Sequence, residues 1–84
     1  MPVLARFYGI VIRMYFLQSE RNPPHIHAIY GEDTAAFSIA TGELLDGDFP
    51  TRASSMVREW IAINRADLLE IWETQEFRKL NPLD

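Results

Sequence analysis

Two histidines, one arginine and one tyrosine are the residues of this chain best suited to chemistry. His25 and His27 stand two apart in the run His25-Ile26-His27-Ala28-Ile29-Tyr30. On an extended strand alternate residues share a side, which puts their Cβ atoms about 7 Å apart and lets both imidazoles face one ligand. The same spacing sets Arg13 beside Tyr15 in the run Phe7 to Phe16. If the two runs pair as strands, all four polar groups meet on one surface.

Three kinds of chemistry suit that cluster. His-x-His supplies two of the three protein ligands that a catalytic zinc or similar divalent ion takes, with Glu20, Glu32 or Asp33 as the third, although none of these stands at a recognisable spacing. Alternatively, a histidine, whose kind changes charge near neutrality, exchanges protons with a ribose hydroxyl while Arg13 neutralises the phosphorane, and no metal takes part. In the third reading the imidazoles are structural, holding the Pro23-Pro24 loop by hydrogen bonds or filling a subunit contact. Residue types alone leave the three open.

The elements that must position these residues are legible from periodicity. Phe7 to Phe16 is aromatic, β-branched and free of proline, and reads as a strand with Tyr8, Ile10, Ile12, Met14 and Phe16 on a core face and Phe7, Val11, Arg13 and Tyr15 on the other. Leu17 to Pro24 is a polar loop closed by two prolines. Strands follow at 25–30, 34–40 and 43–46, separated by Gly31-Glu32-Asp33 and Thr41-Gly42. Beyond Gly47 the period changes. Ala53, Met56, Val57, Trp60 and Ile61 form one helical stripe over 51–63, and Asn64 followed by Asp67 marks the N-cap of a second helix over 65–78 with Leu68, Leu69 and Trp72 buried. Asn81 to Asp84 reads as a frayed tail. The expected fold is α+β: one domain over 1–84, with an antiparallel meander of about four strands packed on two C-terminal helices.

Composition narrows the function. The 84 residues, 48% of them hydrophobic, suffice for one core and leave marginal stability that a partner subunit or a second copy would supplement. There is no cysteine, hence neither a disulfide framework nor a thiolate zinc site, and a reducing cytoplasm is the expected compartment. No signal peptide or membrane span is legible. The net charge is −4 but divided: residues 1–30 hold three arginines against one glutamate, or +2, whereas residues 31–84 hold five basic against eleven acidic residues, or −6. Asp67, Glu70, Glu73 and Glu76 along the last helix argue against a DNA-reading helix pair. Neither a glycine-rich phosphate loop nor a Gly-x-Ser-x-Gly elbow is present.

Several separate strings carry a family resemblance. Arg6-Phe-Tyr-Gly-Ile-Val-Ile-Arg-Met-Tyr-Phe16, Asn22-Pro-Pro-His-Ile-His-Ala28 with Tyr30-Gly31, Thr41-Gly-Glu-Leu-Leu45 through Gly47, and the helix around Glu59-Trp60 resemble the small bacterial family called domain of unknown function 4160. The loop Leu17-Gln-Ser-Glu-Arg21 looks longer than in that family. The resemblance implies no catalytic residue. It implies a context, a two-gene module of toxin–antitoxin type with a small cognate protein from a neighbouring gene. The expected function is therefore an interaction protein of such a pair that contacts RNA or its partner through Arg13, Tyr15, His25 and His27. The alternatives are a metal-dependent enzyme centred on His25 and His27, and a non-catalytic structural or regulatory binding module. No cofactor is expected outside the metal reading.

Overall fold

The computed structural model describes residues 2–15 and 23–84. Five strands, β1 (Val3–Phe7), β2 (Ile10–Arg13), β3 (His25–Tyr30), β4 (Asp33–Ser38) and β5 (Leu44–Gly47), precede one helix, α1 (Thr51–Thr74). The strands form a single antiparallel sheet in chain order. The α+β architecture and the meander stand, while the strand and helix numbers differ from expectation.

The first difference is at Tyr8-Gly9. Both residues take positive φ, 49° and 82°, so the expected strand over 7–16 is cut by a two-residue hairpin turn of the kind that matches strand twist. Such turns favour Asn-Gly or Asp-Gly, and a tyrosine in the first position hides the signal. Val3–Phe7 thereby becomes an unforeseen edge strand, and Phe7, assigned to the outer face, is buried in the core with Leu4 and Ala5. Tyr8, assigned to the core, is 59% exposed at the turn. Ile10, Ile12 and Met14 are fully buried as expected, and Phe16 lies outside the described residues.

The second difference is at Asn64. Its backbone leaves helical geometry (φ −106°, ψ 15°), yet the chain continues as helix on both sides. The Asn64 side chain donates back to the Trp60 carbonyl at 3.0 Å instead of accepting from the turn ahead. It therefore kinks one helix and does not start a second. Past the kink Leu68, Ile71 and Trp72 are buried, and Leu69, expected inside, is exposed. The helix stops at Thr74, short of the expected residue 78, because Gln75 turns left-handed (φ 60°). Gln75 gives its backbone N–H to Ile71 and its side-chain amide to Trp72, supplying two of the last-turn carbonyls.

One face of the sheet meets α1. Ile12, Ile26, Ala28 and Phe37 from the strands and Ala53, Val57, Trp60 and Ile61 from the helix belong to one hydrophobic cluster. Trp60 is its centre: the ring packs on Phe7 at 5.8 Å and the indole N–H donates to Asn81 O at 2.7 Å. The tail expected to fray is thus docked. Leu80 also donates to the Leu4 carbonyl at 2.7 Å, and Phe77, Leu80 and Leu83 pack against the core. No helix among the described residues is long and apolar enough to cross a membrane.

Gly47 closes β5 with φ 89°, and a Cβ there would collide with the Thr34 carbonyl oxygen. Gly31 has φ 63° but open space around it. Gly31→Ala is expected to cost about 1 kcal/mol, the left-handed term alone, and Gly47→Ala at least about twice that, because backbone must shift as well. Urea midpoints of the two variants check the order.

Candidate functional site

The register of the sheet decides which side chains share its other face. Arg13 pairs with His27, His27 with Ala36 and Ala36 with Asp46, so these residues form one cross-strand row. The next row runs Arg6, Val11, Ile29, Thr34. Directly paired residues of antiparallel strands project to the same side. Since Ile12, Ala28 and Ala35 alternate into the core, both rows lie on the face away from α1. Arg13, His27, Ile29 and Ala36 are half-buried there and Arg6 and Thr34 exposed.

All four residues singled out by spacing come together. Tyr15 and His27 stack with ring centroids 4.1 Å apart and planes tilted by 35°. His25 meets His27 edge to face at 5.1 Å. Arg13 is the direct cross-strand neighbour of His27, and its Nε is buried without a hydrogen-bond partner among the described residues. A buried N–H donor in that state favours an acceptor, and a flat aromatic pair beside a guanidinium favours a planar or anionic ligand.

The two histidines differ in environment. His25 is only 7% exposed, lies 5.2 Å from the Trp72 ring, and places Nδ1 2.9 Å from the Pro23 carbonyl. A carbonyl only accepts, so Nδ1 carries the proton and the ring's tautomer is fixed. His25 thus joins the Pro23 carbonyl to the Trp72 ring near the end of α1. His27 is half-buried, with its ring on Tyr15 and its Nε2 shielded from solvent, and belongs to the face away from the core.

Of the third metal ligands considered, Glu32 and Asp33 sit at the turn that closes β3 and β4, the far end of a six-residue strand from His25. Asp33 pairs with Tyr30, about 17 Å along the strand from His25 and about 10 Å from His27, too far for an ion shared with both. Glu20 lies outside the described residues, as does Arg21. Among the described residues no three histidine, aspartate or glutamate side chains gather as a metal site would require.

Arg6 is the residue that periodicity missed. It joins this face only because the Tyr8-Gly9 turn folds β1 back onto β2, pairing Arg6 with Val11 and leaving it diagonal to Arg13. The diagonal spacing on one sheet face is about 7–8 Å, within reach of a single extended anionic chain. Asp46, at the end of the Arg13 row, bounds the positive region on the β5 side.

This division of labour has a measurable consequence. His25→Ala removes a buried ring and a hydrogen bond and is expected to cost about 2–3 kcal/mol, whereas His27→Ala is expected to cost about 1 kcal/mol or less. Equal urea midpoints for the two variants would contradict the assignment.

Comparison with known proteins matches a family model, described as Domain of unknown function (DUF4160), to residues 9–73. No curated protein and no solved structure matches. The matched segment holds Arg13, Tyr15, His25 and His27, and leaves Arg6 and the docked tail outside it. With most of its length matched, this chain belongs to the DUF4160 family.

Proposed function

We propose that this protein is the binding component of a small two-protein module of toxin–antitoxin type, and that it presents the outer sheet face to single-stranded RNA. The observation that carries the RNA reading is the Tyr15–His27 stack at 4.1 Å flanked by Arg13. Tyr15 and His27 are half-buried and stacked on one another, so a base would take the ring face left to solvent, and neighbouring arginines take the phosphates. Charge supports the choice of surface. Arg6 and Arg13 stand on this face of a chain whose net charge is −4 and whose acidic residues lie mostly beyond residue 30.

A catalytic version of the same reading uses His27 as the proton-exchanging group and Arg13 as the stabiliser of the phosphorane, since His25 is committed to Pro23. The metal-enzyme reading retains one supporting observation. His25 Nδ1 is held by a carbonyl, the kind of outer contact that orients a metal-binding imidazole and leaves Nε2 to coordinate. Zinc or manganese retained after dialysis, and lost in His27→Ala, would favour it over the RNA reading.

Binding of a fluorescent single-stranded RNA is the direct test. Tyr15→Ala is expected to weaken binding by about 1–3 kcal/mol with little change in salt dependence, because a stacking contact is lost. Arg13→Ala is expected to lower the slope of log affinity against log salt by about one phosphate contact. No RNA binding at low salt, or variants indistinguishable from wild type, would end this reading. Induced expression separates binding from cleavage: growth arrest with RNA cleavage in wild type that disappears in His27→Gln marks a ribonuclease, and no arrest marks a binding module.

A further inference from the structure

The two edges of the sheet are treated differently. On the β1 side the tail lies along the strand: Leu80 donates to the Leu4 carbonyl, and Lys79, Leu80 and Pro82 line a cleft with Val3–Arg6. β5, at the other edge, has no neighbouring strand on its outer side among the described residues, and residues 43–48 are all exposed. Its outward N–H and C=O groups therefore face solvent.

Sheet edges are blunted by short strands, bulges and charged side chains, and β5 has four residues, a register shift and Asp46, but a protected edge also keeps large apolar side chains off its surface. This one shows two leucines, Leu44 at 42% and Leu45 at 46% exposure. A register shift on the paired side sets both near Phe37, the partner of Leu44, so Leu45 stands outside the regular alternation. Acidic residues surround them. Glu43, Asp46 and Asp48 lie on or beside the strand, and Glu32 and Asp33 occupy the adjacent turn, where they border a shallow depression with Thr34, Gly47 and Asp48.

These charges select the occupant. Pairing β5 antiparallel with β5 of a second copy would bring two sets of Glu43, Asp46 and Asp48 across from one another, and like charges facing across strands destabilise a pair. An extended segment in which lysine or arginine alternates with β-branched residues reverses that sign and covers the leucines. We infer that the outer edge of β5 accepts such a basic, extended segment of a partner protein as a sixth strand. This deepens the two-protein reading by giving the partner's surface and chemistry. It is tested apart from RNA binding, which uses the β1–β3 part of the outer face, whereas the peptide pairs along the β5 edge at the far end of the Arg13 row.

The probe is a labelled octapeptide alternating lysine and valine, followed by anisotropy and by amide shifts of the isotope-labelled protein. One control peptide replaces lysine by glutamate, and another has two central prolines, which prevent strand pairing while keeping the charge. Amide shifts confined to residues 34–37 and 43–48 are expected. Affinity should fall at least about tenfold in Asp46→Lys/Asp48→Lys, and also in Leu45→Pro, with the Trp60 indole resonance unmoved as proof of fold. Three results would overturn the inference: no shift at β5, equal binding of the proline-interrupted peptide, or a dimer in sedimentation that Leu45→Pro dissolves. If only the peptide fails, RNA binding stands without a partner edge; if only RNA fails, the reverse holds.

Discussion

Everything that makes this sheet useful depends on one register, that of β2 on β3. Pairing Arg13 with His27 and Ile12 with Ala28 sends the apolar residues to the helix and the chemistry-bearing ones to the open face. A slip of one residue would exchange the two sets, burying an arginine and a histidine and exposing Ile26 and Ala28. The cost of an unpaired buried guanidinium is several kcal/mol, a large share of the stability of a chain this short. The hydrophobic pattern therefore sets which side chains form the candidate site.

Other features reinforce the same register. The two-residue Tyr8-Gly9 turn leaves β1 one way to fold back, and Gly47 lets β5 end hard against the Thr34 carbonyl. On the covered side a single kinked helix suffices because Trp60 joins it to Phe7 of β1 and to the tail at Asn81. The other side carries Arg6 and Arg13, with Asp46 at the end of the Arg13 row, and most acidic residues of the described chain lie on the helix, on β5 and at the adjoining turn. Of the helix residues, Asp67 and Glu70 share Arg78 at 3.1 and 3.0 Å in an exposed network of small energetic weight. The sheet is thus polar in two senses, one face against core and one end against charge.

Much of this was legible in the sequence because strand alternation is a strong signal where β-branched residues crowd together. The His25–His27 pair, its proximity to Arg13 and Tyr15, the His25–Tyr30 strand and the stripe through Trp60 follow from periods of two and of three or four alone. Three features were illegible for physical reasons. A hairpin turn led by tyrosine carries no turn residue in its first position, so β1 and with it Arg6 stayed hidden. Asn64 has the composition of a cap, and only its choice of acceptor, the Trp60 carbonyl behind it, shows that the helix runs on. The tail has no period, and its docking rests on the indole N–H of a residue 21 positions away in the chain. Likewise, spacing treats His25 and His27 as equals, and the Pro23 carbonyl separates them.

The core and the proposed RNA-binding surface lie on the two faces of one sheet. Titrating the isotope-labelled protein with a short single-stranded RNA while following ring resonances tests this placement most directly. The Tyr15 and His27 ring signals and the Arg13 side-chain Nε–H are expected to move through base stacking and phosphate contact, while the Trp60 indole N–H and the Phe37 ring stay fixed. Shifts that appear at Trp60 and Phe37 first, or a titration that leaves Tyr15 and His27 unmoved at saturating RNA, would contradict it.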